Sequence, residues 1–230
     1  MAESAAEDTS ANRIYVALSH SITLGQCRGG ERLSPDELAR KFGTSVTPVR
    51  EALQKLSRDG LVENRPRSGF FVTSVSLKRL RAMLEVREIL EVAAVGLAAG
   101  RISEQELQEL ERVHAGYTGD GYEASIRYIA ENRTFHYKIA LASGNDELAE
   151  MIGQVHDRLA RFTVFVHPFQ EILLRHKRLL EALRGHDVTL AREVITAEVR
   201  ETRDITLAHV IDGQGAHWHV EPGAPERMPP

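Results

Sequence analysis

The sequence is poor in cysteine and in long apolar runs. Cys27 is its one cysteine in 230 residues, so no disulfide can form within the chain, and no Cys-x-x-Cys pair is present to bind zinc or carry redox chemistry. No apolar run approaches the ~20 residues of a membrane-spanning helix. The first residues, MAESAAEDTSANR, lack the positive start and apolar centre of a signal peptide, so we expect a cytoplasmic protein.

Charge is distributed unevenly along the chain. Residues 12–81 hold 13 basic and 6 acidic side chains, whereas residues 82–230 hold 16 and 24. The apolar content of 42% is enough for one fair-sized core or two smaller ones. A basic first part suggests a domain that binds a polyanion, followed by an acidic domain with another task. A charged, solvated face is the alternative explanation of the same count.

Three short helices are predicted in the basic part. Apolar spacing indicates a first helix over residues 12–24. The order Ser34-Pro35-Asp36-Glu37 supplies an N-cap serine, a proline in the first turn and a capping glutamate, which predicts a second, short helix. Gly43 then turns the chain, and Thr44 or Ser45 caps a third helix. Two short helices around a tight glycine turn form a helix-turn-helix, whose second member fits the DNA major groove.

A β-hairpin is predicted directly after these helices. Residues 61–64 and 70–73 have strand character, and the sequence Arg65-Pro66-Arg67-Ser68-Gly69 between them is typical of a turn. The turn presents arginines beside small residues, which suits close approach to a phosphate backbone. The pattern of elements therefore predicts a winged helix-turn-helix.

The acidic part is predicted to be an all-helical bundle, so the fold class is mainly α. Glycines and capping residues separate predicted helices over residues 77–100, 103–114, 121–143, 145–166, 168–184 and 187–211. We expect a disordered N-terminus at residues 1–11 and a DNA-binding domain at residues 12–75. An effector-binding and dimerisation domain is expected at residues 76–211, followed by a flexible tail at residues 212–230.

Three motifs stand in order in the basic part: Gly30-Glu31-Arg32-Leu33-Ser34, Thr47-Pro48-Val49-Arg50-Glu51-Ala52-Leu53 and Asp59-Gly60-Leu61-Val62. In these motifs the sequence resembles the N-terminal domain of GntR-type bacterial transcription regulators. The resemblance implies that Arg50 contacts the operator. It also implies wing contacts from Arg65, Arg67 and Gly69.

The basic part departs from the family pattern at two positions. Asp36 and Val46 stand where many relatives of the FadR branch carry arginine, so the operator is expected to differ in the bases that those positions read. Val46 can instead touch a thymine methyl group, beside further predicted contacts from Ser45 and Thr47. Arg40 is a candidate phosphate contact, although a solvated side chain is the commoner state of an arginine at that place.

The acidic part contains Glu85-Val86-Arg87-Glu88-Ile89-Leu90-Glu91, Asn132-Arg133-Thr134-Phe135-His136, Ala142-Ser143-Gly144-Asn145 and Gly185-His186-Asp187. In these motifs it resembles the effector domain named FCD of the FadR subfamily. Many FCD domains hold a metal ion through an Asp or Asn, a His four residues later and two further histidines. The resemblance implies ligation by Asn132, His136 and His176, with Glu198 at the place of the last histidine.

The chemistry of this ligand set suits a divalent transition metal. Residues four apart lie on one helical face, so Asn132 and His136 can point the same way. A carboxylate is an accepted ligand for zinc, nickel or manganese, so Glu198 either preserves the site with a harder ligand or weakens it. Histidines that are satisfied in a core without metal are the alternative.

Arginines of the acidic part are candidates for binding an acidic effector, because a guanidinium matches a carboxylate with two parallel hydrogen bonds. Family effectors are often small organic acids, and the candidates are Arg87, Arg133, Arg158 and Arg161. For each of these arginines taken alone, an exposed ion pair is the competing explanation.

The sequence therefore predicts a ligand-responsive transcription regulator that binds a pseudo-palindromic operator as a homodimer. Repression is the more frequent behaviour in the family that it resembles, so we expect a repressor. A metal-dependent helical-bundle enzyme is one alternative, although no nucleophile motif or phosphate-binding loop supports catalysis. A metal-free regulator that senses a larger acyl ligand is the other alternative.

Overall fold

The computed structural model describes residues 9–113, 122–163 and 169–212. Residues 1–8 of the predicted disordered N-terminus (1–11) and residues 213–230 of the predicted flexible tail (212–230) lie outside these ranges, whereas Ser10 and Ala11 are helical. Within them the chain forms two compact units, and it passes from the first to the second between Arg79 and Leu80. None of the helices in the described ranges is both long and apolar enough to cross a membrane.

The first unit is a winged helix-turn-helix, as predicted. Its elements in chain order are α1 (Ser10–Thr23), β1 (Arg32–Leu33), α2 (Pro35–Phe42), α3 (Val46–Arg58), β2 (Val62–Arg65) and β3 (Gly69–Val72). Strand β3 is central and pairs antiparallel with both neighbours. The sequence did not reveal β1, because two residues are too few to show a strand period.

Capping explains where the helices of this unit begin. Helix α1 begins two residues earlier than predicted, because Thr9 is its N-cap and accepts a hydrogen bond from the backbone N–H of Asn12 at 3.2 Å. The hydroxyl of Ser34 caps α2 as predicted. Gly43 takes a left-handed φ of 63° between α2 and α3, a conformation that glycine adopts at little cost. Ser45 occupies the N-cap of α3, but its side chain makes no capping hydrogen bond.

Helix α3 packs one face against the core of the first unit. Its buried side chains are Val49, Ala52, Leu53 and Leu56. The remaining positions of the helix are half-buried or exposed, and the exposed ones include Arg50. The polar side of this helix therefore faces outward from its own unit.

The second unit is helical in all its described elements. They are α4 (Leu77–Ala99), α5 (Glu104–Val113), α6 (Tyr122–Ala142), α7 (Asp146–Thr163), α8 (Phe169–Arg184) and α9 (Val188–Ile211). The bounds lie within three residues of those predicted. The predicted end of α5 at His114, the predicted start of α6 at Gly121, the predicted end of α7 at residues 164–166 and the predicted start of α8 at Pro168 fall outside the described residues.

The core of the second unit combines apolar packing with a group of buried ionisable side chains. Phe135, Leu179, Leu183 and Ile195 are fully buried. The buried charged or titratable residues of this unit are Arg87, Glu91, His136, His156, Arg161, His176 and Glu198. Buried charges are costly unless they are paired or bind a metal, so this group marks the candidate site.

Two leucines of α8 provide a test of the packing. Leu183 is fully buried, whereas Leu174 is 68% exposed. Leu183→Ala should lower the free energy of unfolding of the helical unit by about 2–5 kcal/mol, because it leaves a cavity in a dense core. Leu174→Ala should change it by less than about 0.5 kcal/mol. Urea denaturation followed by circular dichroism measures both, and equal losses would contradict the assigned burial.

Candidate functional site

The buried ionisable side chains of the second unit come from five helices. Glu91 lies on α4, His136 on α6, His156 on α7, His176 on α8 and Glu198 on α9. All five are at most 8% exposed. Three of them are predicted metal ligands, and the structure brings these three together although up to 62 residues separate them in the sequence.

His136, His176 and Glu198 form a group with the geometry of a metal site. The Nε2 atoms of both histidines lie 3.4 Å from Oε1 of Glu198. Ligand atoms at about 2.0–2.1 Å from a tetrahedral zinc ion are about 3.3 Å apart, so these separations suit coordination better than direct hydrogen bonding. Within the described residues, Nε2 of His136 and Oε2 of Glu198 are buried and make no hydrogen bond. The three residues therefore fit a divalent metal ion.

Aromatic packing holds the two imidazole rings of this group in place. The ring of Phe135 stacks on that of His176 at 3.9 Å between centroids and an angle of 13°. The rings of His136 and His176 meet edge to face at 5.3 Å and 79°. Because Phe135 is itself fully buried, the ring positions are fixed by core packing.

Asn132, the fourth predicted ligand, lies one helical turn before His136 on α6. It is half-buried and accepts a hydrogen bond from the hydroxyl of Tyr128 at 3.4 Å. Both residues line a small cavity that also contacts Glu198. Asn132 therefore shares the lining of this cavity with Glu198, one member of the three-residue group.

Glu91 and His156 belong to the cluster but were not predicted from the sequence. Oε1 of Glu91 lies 2.6 Å from Nε of Arg87 and 2.9 Å from Nε2 of His156. Oε2 of Glu91 lies 2.7 Å from Nδ1 of His136. The i, i+4 spacing of Arg87 and Glu91 indicates an ion pair within α4, but it carries no signal of burial, because Arg81 and Glu85 have the same spacing and are exposed. His156 lies 65 residues from Glu91 and has no comparable local signal.

The electrostatics of the cluster keep both carboxylates ionised. Burial raises the pKa of Glu91, but Arg87 and His136 outweigh it, so the pKa lies well below its usual range. Burial also opposes ionisation of Glu198, and the neighbouring histidines outweigh it and lower the pKa of that carboxyl group. The buried carboxylates are thus available as acceptors or ligands at neutral pH.

The histidines respond in opposite directions to the same surroundings. Burial lowers the pKa of His136, but Glu91 and Glu198 outweigh it and raise the pKa to about 9. Burial and then the charge of Arg87 lower the pKa of His156 to about 4. Burial also lowers the pKa of His176. In the absence of metal, His136 is therefore the histidine of this cluster that carries a proton at neutral pH.

The four predicted effector arginines lie in different surroundings. Arg87 lines the small cavity together with Tyr128, Asn132 and Glu198, among other residues. The other three are not among the residues that line it in the described part of the chain. Arg133 pairs with Asp157 at 2.6 Å, Arg158 is half-buried, and Arg161 is buried beside the ring of Phe162.

The predicted DNA contacts lie on the surface of the first unit. The side chains of Arg40, Ser45, Thr47 and Arg50 are exposed, and Val46 is half-buried against the core. In the wing, Arg65 pairs with Glu63 at 3.1 Å and lies over the ring of Phe71. Arg67 takes a φ of 62° and Gly69 a φ of 101°, so the tip is a tight turn.

Two arginine-to-methionine variants test the buried ion pair. Arg87→Met should lower the free energy of unfolding by about 3–5 kcal/mol, because it removes the guanidinium that pairs with the buried Glu91 carboxylate. Arg200→Met should cost less than about 1 kcal/mol, because that side chain is 58% exposed in its pair with Glu88. Thermal and urea denaturation measure the costs, and similar values for both variants would rule out the buried pair.

Comparisons with known proteins agree with this architecture. Residues 10–72 match the family described as bacterial regulatory proteins, gntR family, and residues 82–201 match the FCD domain. The chain is 30% identical to the uncharacterized HTH-type transcriptional regulator YdhC of Bacillus subtilis, over 87% of this chain and 92% of that protein. It is also 30% identical to the HTH-type transcriptional regulator McbR of Escherichia coli, over 74% of this chain and 80% of that protein.

Solved structures give the same result. The E. coli McbR/YncC structure superposes with a TM-score of 0.70 at 27% identity, covering 88% of this chain and 99% of that one. A putative GntR transcriptional regulator from Rhodococcus shares the fold, with a TM-score of 0.65 over 86% of this chain and 97% of that one at 21% identity. The family matches and the relatives YdhC and McbR identify a regulator rather than an enzyme. The chain belongs to the GntR family of bacterial transcriptional regulators and carries an FCD domain behind its helix-turn-helix.

Proposed function

We propose that this regulator represses transcription in the cytoplasm by binding a pseudo-palindromic operator as a homodimer. In this proposal the helical unit binds a divalent transition metal and a small organic acid, which together control DNA binding. The observation that carries it is the buried group of His136, His176 and Glu198, in which two polar atoms make no hydrogen bond in the described part of the chain.

DNA reading is assigned to the exposed N-terminal half of α3 and to the wing. Arg50 projects from the polar face of α3, so it can reach a base edge in the major groove. Ser45, Val46 and Thr47 precede it in the first turn, where backbone N–H groups and small side chains suit phosphate and base contacts. Arg40 adds a phosphate contact, and the wing contributes Arg65, Arg67 and Gly69.

Dimerisation is supported by an apolar stripe on α4. Val86, Ile89 and Leu97 are 42%, 68% and 40% exposed, and Ala93 is exposed between them. Their spacing places them along one face of the helix, opposite the buried Glu91 side. Exposed apolar stripes of this kind mark protein contacts, and a second copy of the chain would match the two-fold symmetry of the proposed operator.

The metal site would be held by His136, His176 and Glu198, with Asn132 as the fourth ligand. Zinc, nickel or manganese accepts this mixture of nitrogen and oxygen ligands. A bound metal would supply a positive centre that attracts the carboxylate of an organic acid. Arg87 lies at the same cavity and presents a second positive charge to such a ligand.

The size of the cavity indicates how an effector would act. Its volume is about 20 Å³, which holds roughly one water molecule. An organic acid therefore fits only if the lining side chains or helices move apart. Such a ligand binds more tightly to an expanded helical unit than to the closely packed one. This difference in affinity is what shifts a regulator from one state to the other.

Selection of bound DNA from a random pool tests the proposed operator. A pseudo-palindromic consensus with half-sites about one helical turn apart, or a multiple of it, is expected. On that site Arg50→Ala should weaken specific binding by about 1–3 kcal/mol at fixed salt, because a base contact is lost. Arg58→Ala, an exposed arginine at the other end of α3, is the matched control. Unchanged affinity of the Arg50 variant would remove Arg50 from the interface.

Metal content tests the proposed site. Glu198→Gln should weaken zinc binding by more than about 100-fold. Loss of a partner outside the ligand shell already lowers metal affinity by about 10–100-fold, and loss of a ligand should cost more. Glu198→His should retain binding, because imidazole is also a good ligand. Glu201→Gln, an exposed neighbour on α9, is the control. Elemental analysis and calorimetric titration give the readouts, and gently purified wild-type protein without metal would favour the metal-free regulator.

A further inference from the structure

His136 connects two groups of buried side chains. Its Nε2 atom faces Oε1 of Glu198 at 3.4 Å, on the side of the proposed metal. Its Nδ1 atom lies 2.7 Å from Oε2 of Glu91 on the other side. The two ring nitrogens of one imidazole therefore have different partners on different helices.

The distances around Glu91 are those of hydrogen bonds and ion pairs rather than of metal ligands. Its contacts with Arg87, His136 and His156 measure 2.6, 2.7 and 2.9 Å. Ligand atoms of one tetrahedral zinc ion are about 3.3 Å apart. The contacts of Glu198 with His136 and His176, at 3.4 Å each, are close to that separation. By these distances Glu91 lies outside the ligand shell as a partner of the surrounding donors, and its Oε2 contacts Nδ1 of His136 at ion-pair distance without a hydrogen bond of good angle in the described residues.

A second metal between Glu91, His136 and His156 is disfavoured by charge. These residues do offer three atoms within 4.8 Å of one another. However, the guanidinium of Arg87 already lies against Oε1 of Glu91, the oxygen that also faces His156. A divalent ion at that point would meet a buried positive charge with little solvent to screen it. Arg87 therefore takes the place that a second cation would need.

We propose that Glu91 is a positioning residue for the metal ligand His136. Its carboxylate accepts the Nδ1–H of His136, so the lone pair of Nε2 points toward His176 and Glu198. Arg87 and His156 hold the other carboxylate oxygen, which fixes the acceptor on α4. This inference rests on the proposed metal site and adds residues that orient it from outside.

The arrangement has a physical advantage for binding. A histidine ligand whose second nitrogen donates to a carboxylate has one tautomer, one ring orientation and a more basic coordinating nitrogen. Loss of such a partner lowers metal affinity by about 10–100-fold. Glu91 thus increases affinity without touching the ion.

Zinc affinity of the full-length protein tests this role. After chelator treatment, Glu91→Gln should bind zinc about 10–100-fold more weakly than wild type in competition with a chromophoric chelator. The matched control is Glu88→Gln, the same change one turn earlier on α4. The carboxylate of Glu88 pairs with Arg200 and Arg203. This control should shift zinc affinity by less than about threefold. If Glu91→Gln alone fails to fold, the double variant Arg87→Met with Glu91→Gln is used in the same zinc titration, because it removes both buried charges together.

Nuclear magnetic resonance gives a readout that general destabilisation does not produce. In the zinc-loaded wild type and in Glu88→Gln, the Nδ1 proton of His136 should appear as a slowly exchanging, downfield signal. In Glu91→Gln it should move upfield or disappear, because a neutral amide is the weaker acceptor. A folded Glu91 variant with wild-type affinity or an unchanged signal overturns the positioning role alone. Wild-type protein that binds no zinc overturns the proposed metal site and this role together.

Discussion

The buried carboxylate of Glu91 is the constraint on which the arrangement of the helical unit depends. An ionised carboxylate removed from water costs several kcal/mol unless charges and donors surround it. Here the compensation comes from Arg87 on the same helix, His136 on α6 and His156 on α7. Helices α4, α6 and α7 must therefore approach one another in one register. The other nitrogen of His136 extends the same network to Glu198 on α9.

Apolar packing makes this polar network effective. The ring of the fully buried Phe135 contacts both His136 and His176, so apolar side chains lie directly against the cluster. A dense apolar surrounding excludes water and strengthens each electrostatic interaction, but it also raises the cost of any group left without a partner. The ring of Phe135 contributes directly, because its stack on His176 fixes one of the proposed ligands. Stability and the geometry of the proposed metal site thus depend on the same packed side chains.

The two units divide the tasks of a regulator between different kinds of surface. In the first unit α3 buries Val49 and Leu53 and leaves Arg50 exposed, which suits a helix that reads DNA. In the second unit the functional groups are buried, and the cavity beside them holds about one water molecule. If the proposed effector binds at this site, it acts by favouring a more open packing, and α4 carries both Arg87 and Glu91.

The local elements and part of the site could be predicted from the sequence. Ser34-Pro35 and Gly43 specify the turn between α2 and α3 through capping and backbone preference, and the i, i+4 spacing places Asn132 and His136 on one helical face. Family resemblance added His176 and Glu198. That Glu91 and His156 join them became visible in the packed helices. The same holds for Arg87, which of the four candidate arginines is the one that lines the cavity in the described residues. Caps and helical periods act over a few residues, whereas contacts between buried ionisable groups depend on how distant helices pack.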